Sequence, residues 1–175
     1  MPRHYLLAIV PPLAIYKVFS DIQETYRVSQ WKKKIGPHIT LLPPFEYTNT
    51  TALLVETIKK TALQHPSLPI TTTSVDCFSN QQTTIYASVA PTDQLTFLAD
   101  SLKSALLPQT TYTREDPESF RPHITLSNKL SSKQAQEQLP KIKKHPVNFH
   151  WLCQDFSLFI LSDKEVWDEI QSFPL

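Results

Sequence analysis

The chain predicts an α+β or α/β fold made of two related lobes, and three observations carry that prediction. Strand-like and helix-like runs alternate along its 175 residues. The run Pro37-His38-Ile39-Thr40-Leu41 recurs unchanged as Pro122-His123-Ile124-Thr125-Leu126, 85 positions later. The spacing of helix and then strand before each copy is similar, as it would be in two halves of one plan. A pseudo-twofold arrangement of these halves brings the two repeated strands side by side in a central groove.

The elements follow in order. His4 to Val10 is a short apolar strand. Pro11-Pro12 stops it and suits the first turn of a helix. Leu13, Ile15, Val18, Phe19, Ile22 and Tyr26 recur at near-helical spacing, which carries that helix to about Val28. Gln30 to Gly36 is a loop leading into the first repeated strand, which Pro43-Pro44 is expected to end. Thr50 or Thr51 caps a second helix bearing Leu53, Leu54, Ile58 and Leu63, with Glu56 in the capping-box region. Leu68 to Phe78 and Thr84 to Val89 read as a hairpin turning at 79–82. Pro91-Thr92-Asp93 opens a helix whose apolar face is Leu95, Leu98, Leu102, Ala105 and Leu106. A polar loop, Gln109 to Ser119, precedes the second repeated strand at 120–127. Ser131-Ser132 caps a helix over 133–144 that Pro140 is expected to kink or shorten. Val147 to Trp151, Asp155 to Leu161 and Val166 to Phe173 finish as strands. With no Gly/Ser linker to divide it, residues 1–175 read as one bilobal domain, with a change of lobe after the first hairpin strands.

Composition narrows the function classes. With 41% apolar and 19% charged residues the chain is globular rather than disordered. Its 17 basic and 16 acidic residues argue against wrapping long duplex nucleic acid, where affinity comes from neutralising phosphates. Lys32-Lys33-Lys34 and Lys141, Lys143 and Lys144 are the basic clusters, read here as solvated surface runs. A single glycine, Gly36, excludes glycine-rich phosphate loops. Cys77 and Cys153 are too few for a disulfide scaffold and lack metal spacing, so no metal and no cofactor are expected. They suit buried apolar positions in a reducing compartment. The run Tyr5 to Val10 is too short to span a membrane and lacks a signal-cleavage site. The expectation is a cytoplasmic monomer.

The repeat itself carries the chemistry. On a strand, side chains alternate between faces, so His and Thr at i and i+2 share one face, roughly 6–7 Å apart. Ile and Leu point to the other face, toward a core. Each half thus presents one imidazole and one hydroxyl. An unperturbed imidazole titrates near ~6.5, so one ring can be neutral while its neighbour is protonated. Across a phosphodiester, the neutral ring accepts a proton from the attacking oxygen and the protonated ring supplies one to the departing oxygen. The two hydroxyls donate to the non-bridging phosphate oxygens. His38 and His123 are therefore the candidate acid and base, with either assignment open, and Thr40 and Thr125 are the candidate phosphate binders. Three further residues are candidate substrate contacts. Arg121 shares the parity of His123 and Thr125 and is placed to reach phosphate or to make a surface ion pair. Phe45, just past the first motif, either stacks on a base or fills core. Tyr86 either lines the groove or fills core.

His38-Ile39-Thr40-Leu41 and His123-Ile124-Thr125-Leu126 resemble the paired H-x-T-x motifs of the two-histidine (2H) phosphoesterase superfamily. The similarity is greatest to its RNA 2′,3′-cyclic phosphodiesterase, or 2′-5′ RNA ligase, members. The order of opening strand, helix, Trp-containing loop, first motif, second motif and apolar C-terminal strands extends the resemblance over nearly the whole chain. The segment Leu42-Pro43-Pro44-Phe45 departs from the Phe-Leu-Gly that usually follows the first motif in bacterial members. The resemblance implies an α+β, bilobal, pseudo-twofold fold, with two mainly antiparallel sheets lining a groove and helices packed outside. It implies a metal-independent activity on 2′,3′-cyclic phosphate RNA ends or cyclic nucleotides, with reversible 2′-5′ ligation as a further capacity and a nucleotide or RNA terminus as partner. The alternatives are a non-catalytic nucleotide- or RNA-end-binding module on the same fold, and action on another cyclic phosphodiester.

Overall fold

The computed structural model describes residues 3–112 and 120–175. Nine strands and four α-helices are present among them, in two antiparallel sheets. The strands are β1 (His4–Ile9), β2 (Ile39–Tyr47), β3 (Leu68–Ser79), β4 (Thr83–Val89), β5 (Thr110–Tyr112), β6 (His123–Leu130), β7 (His150–Cys153), β8 (Asp155–Leu161) and β9 (Trp167–Pro174). The helices are α1 (Leu13–Tyr26), α2 (Thr51–Ala62), α3 (Asp93–Leu106) and α4 (Ser132–Ile142). The first sheet has the order β5-β2-β1-β8-β9 and the second β6-β4-β3-β7. The fold is α+β.

Helix starts follow the sequence closely. Thr50 and Thr92 accept the N–H groups of Leu53 and Leu95 and so cap α2 and α3. Ser131 and Gln134 form a full capping box on α4. Glu56 has no such role: it lies beyond the first turn of α2 and pairs with Lys60 one turn on, at 2.8 Å. The apolar face of α3 runs through Leu95, Leu98, Ala99, Leu102 and Leu106, with Ala105 outside it. Pro140 does not end α4, which runs on to Ile142. Of the expected loop at 109–119, Thr110–Tyr112 form β5 on the edge of the first sheet. Residues 113–119 lie outside the described residues.

Two expectations are corrected. Pro43-Pro44 does not end the first motif strand. The β1–β2 ladder is irregular between the Tyr5–Phe45 and Leu7–Leu42 pairs, and β5 joins β2 only from Phe45 onward. The two prolines therefore fall where no ladder N–H is required, and the strand continues past them. There is also no single change of lobe. The unit β1-α1-β2 in the first sheet corresponds to β4-α3-β6 in the second. Beyond each motif strand the chain crosses over. β2 leads through α2 to β3, which pairs with β4, while β6 leads through α4 and β7 to β8, which pairs with β1. The helices cross as well: α1 packs on β6, and α3 packs on β2.

This exchange gives both sheets one continuous core. Ile39 and Leu41 of the first motif, and Ile124 and Leu126 of the second, are buried within it. One buried polar group, Thr72, ties two segments together through backbone. The Thr72 hydroxyl donates to the Val147 carbonyl at 2.5 Å and accepts from the Phe149 N–H at 3.0 Å, fixing β3 to the segment before β7.

Candidate active site

The alternation predicted for the repeat is present in both copies. His38 and Thr40 are half-buried on one side while Ile39 and Leu41 are in the core. His123 and Thr125 alternate with Ile124 and Leu126 in the same way. β2 and β6 belong to different sheets but touch each other. All four His and Thr side chains line one groove of about 730 Å³, within the range of small-molecule sites.

Both imidazoles are held identically. His38 Nδ1 lies 2.8 Å from the Gly36 carbonyl, and His123 Nδ1 lies 2.7 Å from the Arg121 carbonyl, each two residues upstream. A carbonyl only accepts, so each Nδ1 carries the proton and donates it. The neutral form of each ring is therefore the tautomer with an Nε2 lone pair. Burial depresses the pKa of His38, opposed by its bond to Gly36 and reinforced by the charge of His123. Burial likewise depresses that of His123, opposed by the Arg121 carbonyl. Neither Thr40 nor Thr125 has a side-chain hydrogen-bond partner within the described residues, leaving both hydroxyls to a ligand.

The sequence accounts for how each ring is placed. Gly36 lies against the Tyr16 side chain, where an added Cβ would fall 1.9 Å from Oη. The chain's lone glycine is thus required by close approach rather than by a left-handed turn. On the other side, Phe78 and Tyr86 stack at 4.1 Å, and each ring stands edge-on to His123 at 5.2 Å. Gln23 of α1 donates to the Thr125 carbonyl at 2.7 Å, so the first helix braces the second motif.

The secondary candidates divide. Arg121 is exposed and lines the groove. Phe45 is no substrate contact. It is fully buried and packs on Tyr5 at 5.9 Å between ring centroids, because β2 continues past the prolines and turns this side chain inward. Tyr86 is half-buried and packs on Phe78 and His123, opposite Thr125 in the ladder, where it supports the imidazole. Residues missed from the sequence complete the wall. Lys32, Lys33 and Lys34 line the groove, with Lys103, Lys129, Phe78, Thr84 and Asn128. Lys34 is held by an ion pair to Glu165 at 3.4 Å and by its carbonyl, which accepts from Trp167 N–H at 2.9 Å. Lys33 pairs with Glu24, whose carboxyl it holds below the usual range. The lysine run read as plain surface is a rim of the site. Its only signal was proximity to the first motif. Among the described residues, no three His, Cys, Asp or Glu side chains are grouped to hold a metal ion. No helix of these residues is long and apolar enough to cross a membrane.

Two crossed antiparallel sheets, each giving an H-x-T strand to one groove, define the chain as a two-histidine phosphoesterase-type protein. It belongs to the 2′-5′ RNA ligase superfamily, whose sequence profile matches residues 11–165. A protein of Geobacillus kaustophilus with a provisional phosphoesterase name is 26% identical over 170 residues, covering 97% of this chain and 94% of its own. A Staphylococcus aureus protein with the same style of name is 25% identical over 173 residues, covering 97% of each. Among solved structures, Escherichia coli LigT in complex with 3′-AMP superimposes with a TM-score of 0.65 at 17% identity, covering 99% of this chain and 98% of that one. A Thermus thermophilus protein gives 0.63 at 17% identity, covering 98% and 97%. At such identities the superpositions establish the fold.

Proposed function

We propose that the chain is a metal-independent phosphodiesterase acting on 2′,3′-cyclic phosphate RNA ends or cyclic nucleotides, with reversible 2′-5′ ligation when an RNA 5′-hydroxyl attacks the cyclic phosphate in place of water. The observation that carries this reading is the matched pair of Nδ1 anchors, which leaves two Nε2 atoms as the reactive positions of one groove. Water attacks phosphorus as the neutral ring takes its proton at Nε2. The P–O bond to one ribose oxygen breaks as the other ring, protonated, gives that oxygen its Nε2 proton. The product is a ribose phosphomonoester and one free hydroxyl, with the proton moved from one ring to the other. Thr40 and Thr125 donate to the non-bridging oxygens, and Arg121 offsets their charge at the rim. The solved complexes of LigT with 3′-AMP and with ATP support a nucleotide as the ligand class.

The test is turnover of 2′,3′-cyclic nucleotides and of RNA oligomers ending in a cyclic phosphate, in excess chelator. Wild-type protein is expected to open the ring. His38→Ala and His123→Ala are each expected to lose about 10²–10⁴ in kcat while melting as folded proteins. Strict dependence on added metal, or tight nucleotide binding with no product from any cyclic phosphate, contradicts the proposal. The second outcome favours a binding module.

A further inference from the structure

Strand β6 is irregular just past the second motif. Thr125 lies opposite Tyr86 and Ser127 opposite Ile85, so Leu126 is an extra residue on β6. A second extra residue falls between Ser127 and Leu130, where Lys129 has φ 59°. The first bulge resets the alternation. Ser127, which simple alternation would put in the groove, is buried within hydrogen-bond reach of the Tyr26 carbonyl and Gln138 Oε1. Asn128 takes the groove-facing place instead.

The Asn128 amide is fixed in one orientation. Its Oδ1 accepts from Thr84 Oγ1 at 2.7 Å and from the Lys129 N–H at 2.7 Å. Two donors on one atom identify it as the oxygen and occupy both lone pairs. Nδ2 has no partner among the described residues, so it offers only donors. Phe78, stacked by one face on Tyr86, lines the same groove.

We propose that Asn128 Nδ2 and Phe78 form a nucleobase subsite that selects 6-oxo purines and 4-oxo pyrimidines over bases with an amino group at that position, adenine among them. The proposal rests on the reading that the groove takes nucleotides. Asparagine reads adenine by accepting from N6 through Oδ1 while donating to N7. Here Oδ1 is already filled, and the adenine amino group would meet the donors of Nδ2. Guanine and hypoxanthine (O6) and uracil (O4) present a carbonyl acceptor to those donors where adenine and cytosine carry an amino group, while the Phe78 ring stacks on any base.

Calorimetric binding of inosine 3′-monophosphate and adenosine 3′-monophosphate tests this contact, since the two differ only in the group at C6 and the proton on the adjoining N1. The wild-type protein is expected to bind the inosine nucleotide about 5- to 100-fold more tightly, the discrimination typical of such a base contact. Asn128→Asp keeps the shape, presents an acceptor and is expected to erase or invert the ratio. Thr84→Val frees one lone pair of Oδ1 and shrinks it. Phe78→Ala weakens both nucleotides alike. Equal affinities in the wild type, or a ratio that Asn128→Asp leaves unmoved, overturns the subsite. Because the readout is binding, an active protein with equal affinities refutes the subsite alone, and an inactive protein with the expected ratio refutes only the catalytic reading. A protein that binds neither nucleotide refutes both.

Discussion

Replacing Gly36 with alanine tests how the first imidazole is aimed. The added Cβ would fall 1.9 Å from Tyr16 Oη, 2.7 Å from Cζ and 3.1 Å from Cε2. Ordinary contact begins near 3.4 Å, so Cβ and Oη must part by about 1.5 Å. Tyr16 is half-buried, and the segment before His38 is pinned through Lys34 to Glu165 and Trp167, so both partners share the displacement. A shift of even half that size at the Gly36 carbonyl takes its 2.8 Å bond to His38 Nδ1 beyond hydrogen-bond range. Losing that bond costs about 0.5–1.5 kcal/mol in stability. A catalytic group displaced by about 1 Å costs on the order of 10² in rate. Gly36→Ala is therefore expected to lower kcat/KM toward a 2′,3′-cyclic nucleotide by about 10- to 100-fold with a small fall in Tm. Tyr16→Ala removes the obstacle, so Gly36→Ala/Tyr16→Ala should regain most of the lost activity. Wild-type kcat/KM in Gly36→Ala, or a double variant worse than either single one, refutes the reasoning.

Three further outcomes follow from the same structure. Both site imidazoles titrate below the usual ~6.5, so the kcat/KM profile should be a bell with its optimum on the acidic side of that value, since catalysis needs one ring charged and one neutral. Stability should fall with acidification over the same window. Below ~6.5 the unfolded chain takes up protons that folded His38 and His123 resist, and the loss levels off once pH passes below their folded-state values. A Tm series from pH 8 to 5 checks this, with a shallower slope expected in His38→Ala/His123→Ala. Away from the site, Thr72→Val strips the Phe149 N–H of its acceptor and the Val147 carbonyl of its donor. Denaturant unfolding should show a loss of about 1–3 kcal/mol with activity retained.

The repeated run made the site legible, because period-two alternation converts His-x-Thr into two functional groups on one face and buries the residues between. Helix starts were legible for a similar local reason: Thr50, Thr92 and Ser131 cap by their own side chains. What stayed hidden depends on partners distant in sequence. The passage of β2 through Pro43-Pro44 is tolerated because β2 itself bulges there against β1 and β5 begins later, and this in turn buries Phe45. The bulge at Leu126 has no glycine to announce it, so period-two alternation passes over Asn128. The crossing of β3 and β8 between sheets cannot be read from a repeat that marks only equivalence. The anchors on Gly36 and Arg121 are backbone carbonyls, which carry no side-chain signature. Lys33 and Lys34 read as surface because their places at the groove depend on Glu24 of α1 and on the β8–β9 turn.

Nitrogen-15 NMR of the labelled imidazoles, titrated with pH and then with a nucleoside 3′-monophosphate, tests the central claim most directly. The account predicts that His38 and His123 both hold the Nδ1–H tautomer when neutral, both titrate below ~6.5 in the free protein, and both shift at Nε2 as nucleotide binds. An Nε2–H tautomer at either position, or a nucleotide response confined to one ring, would contradict it.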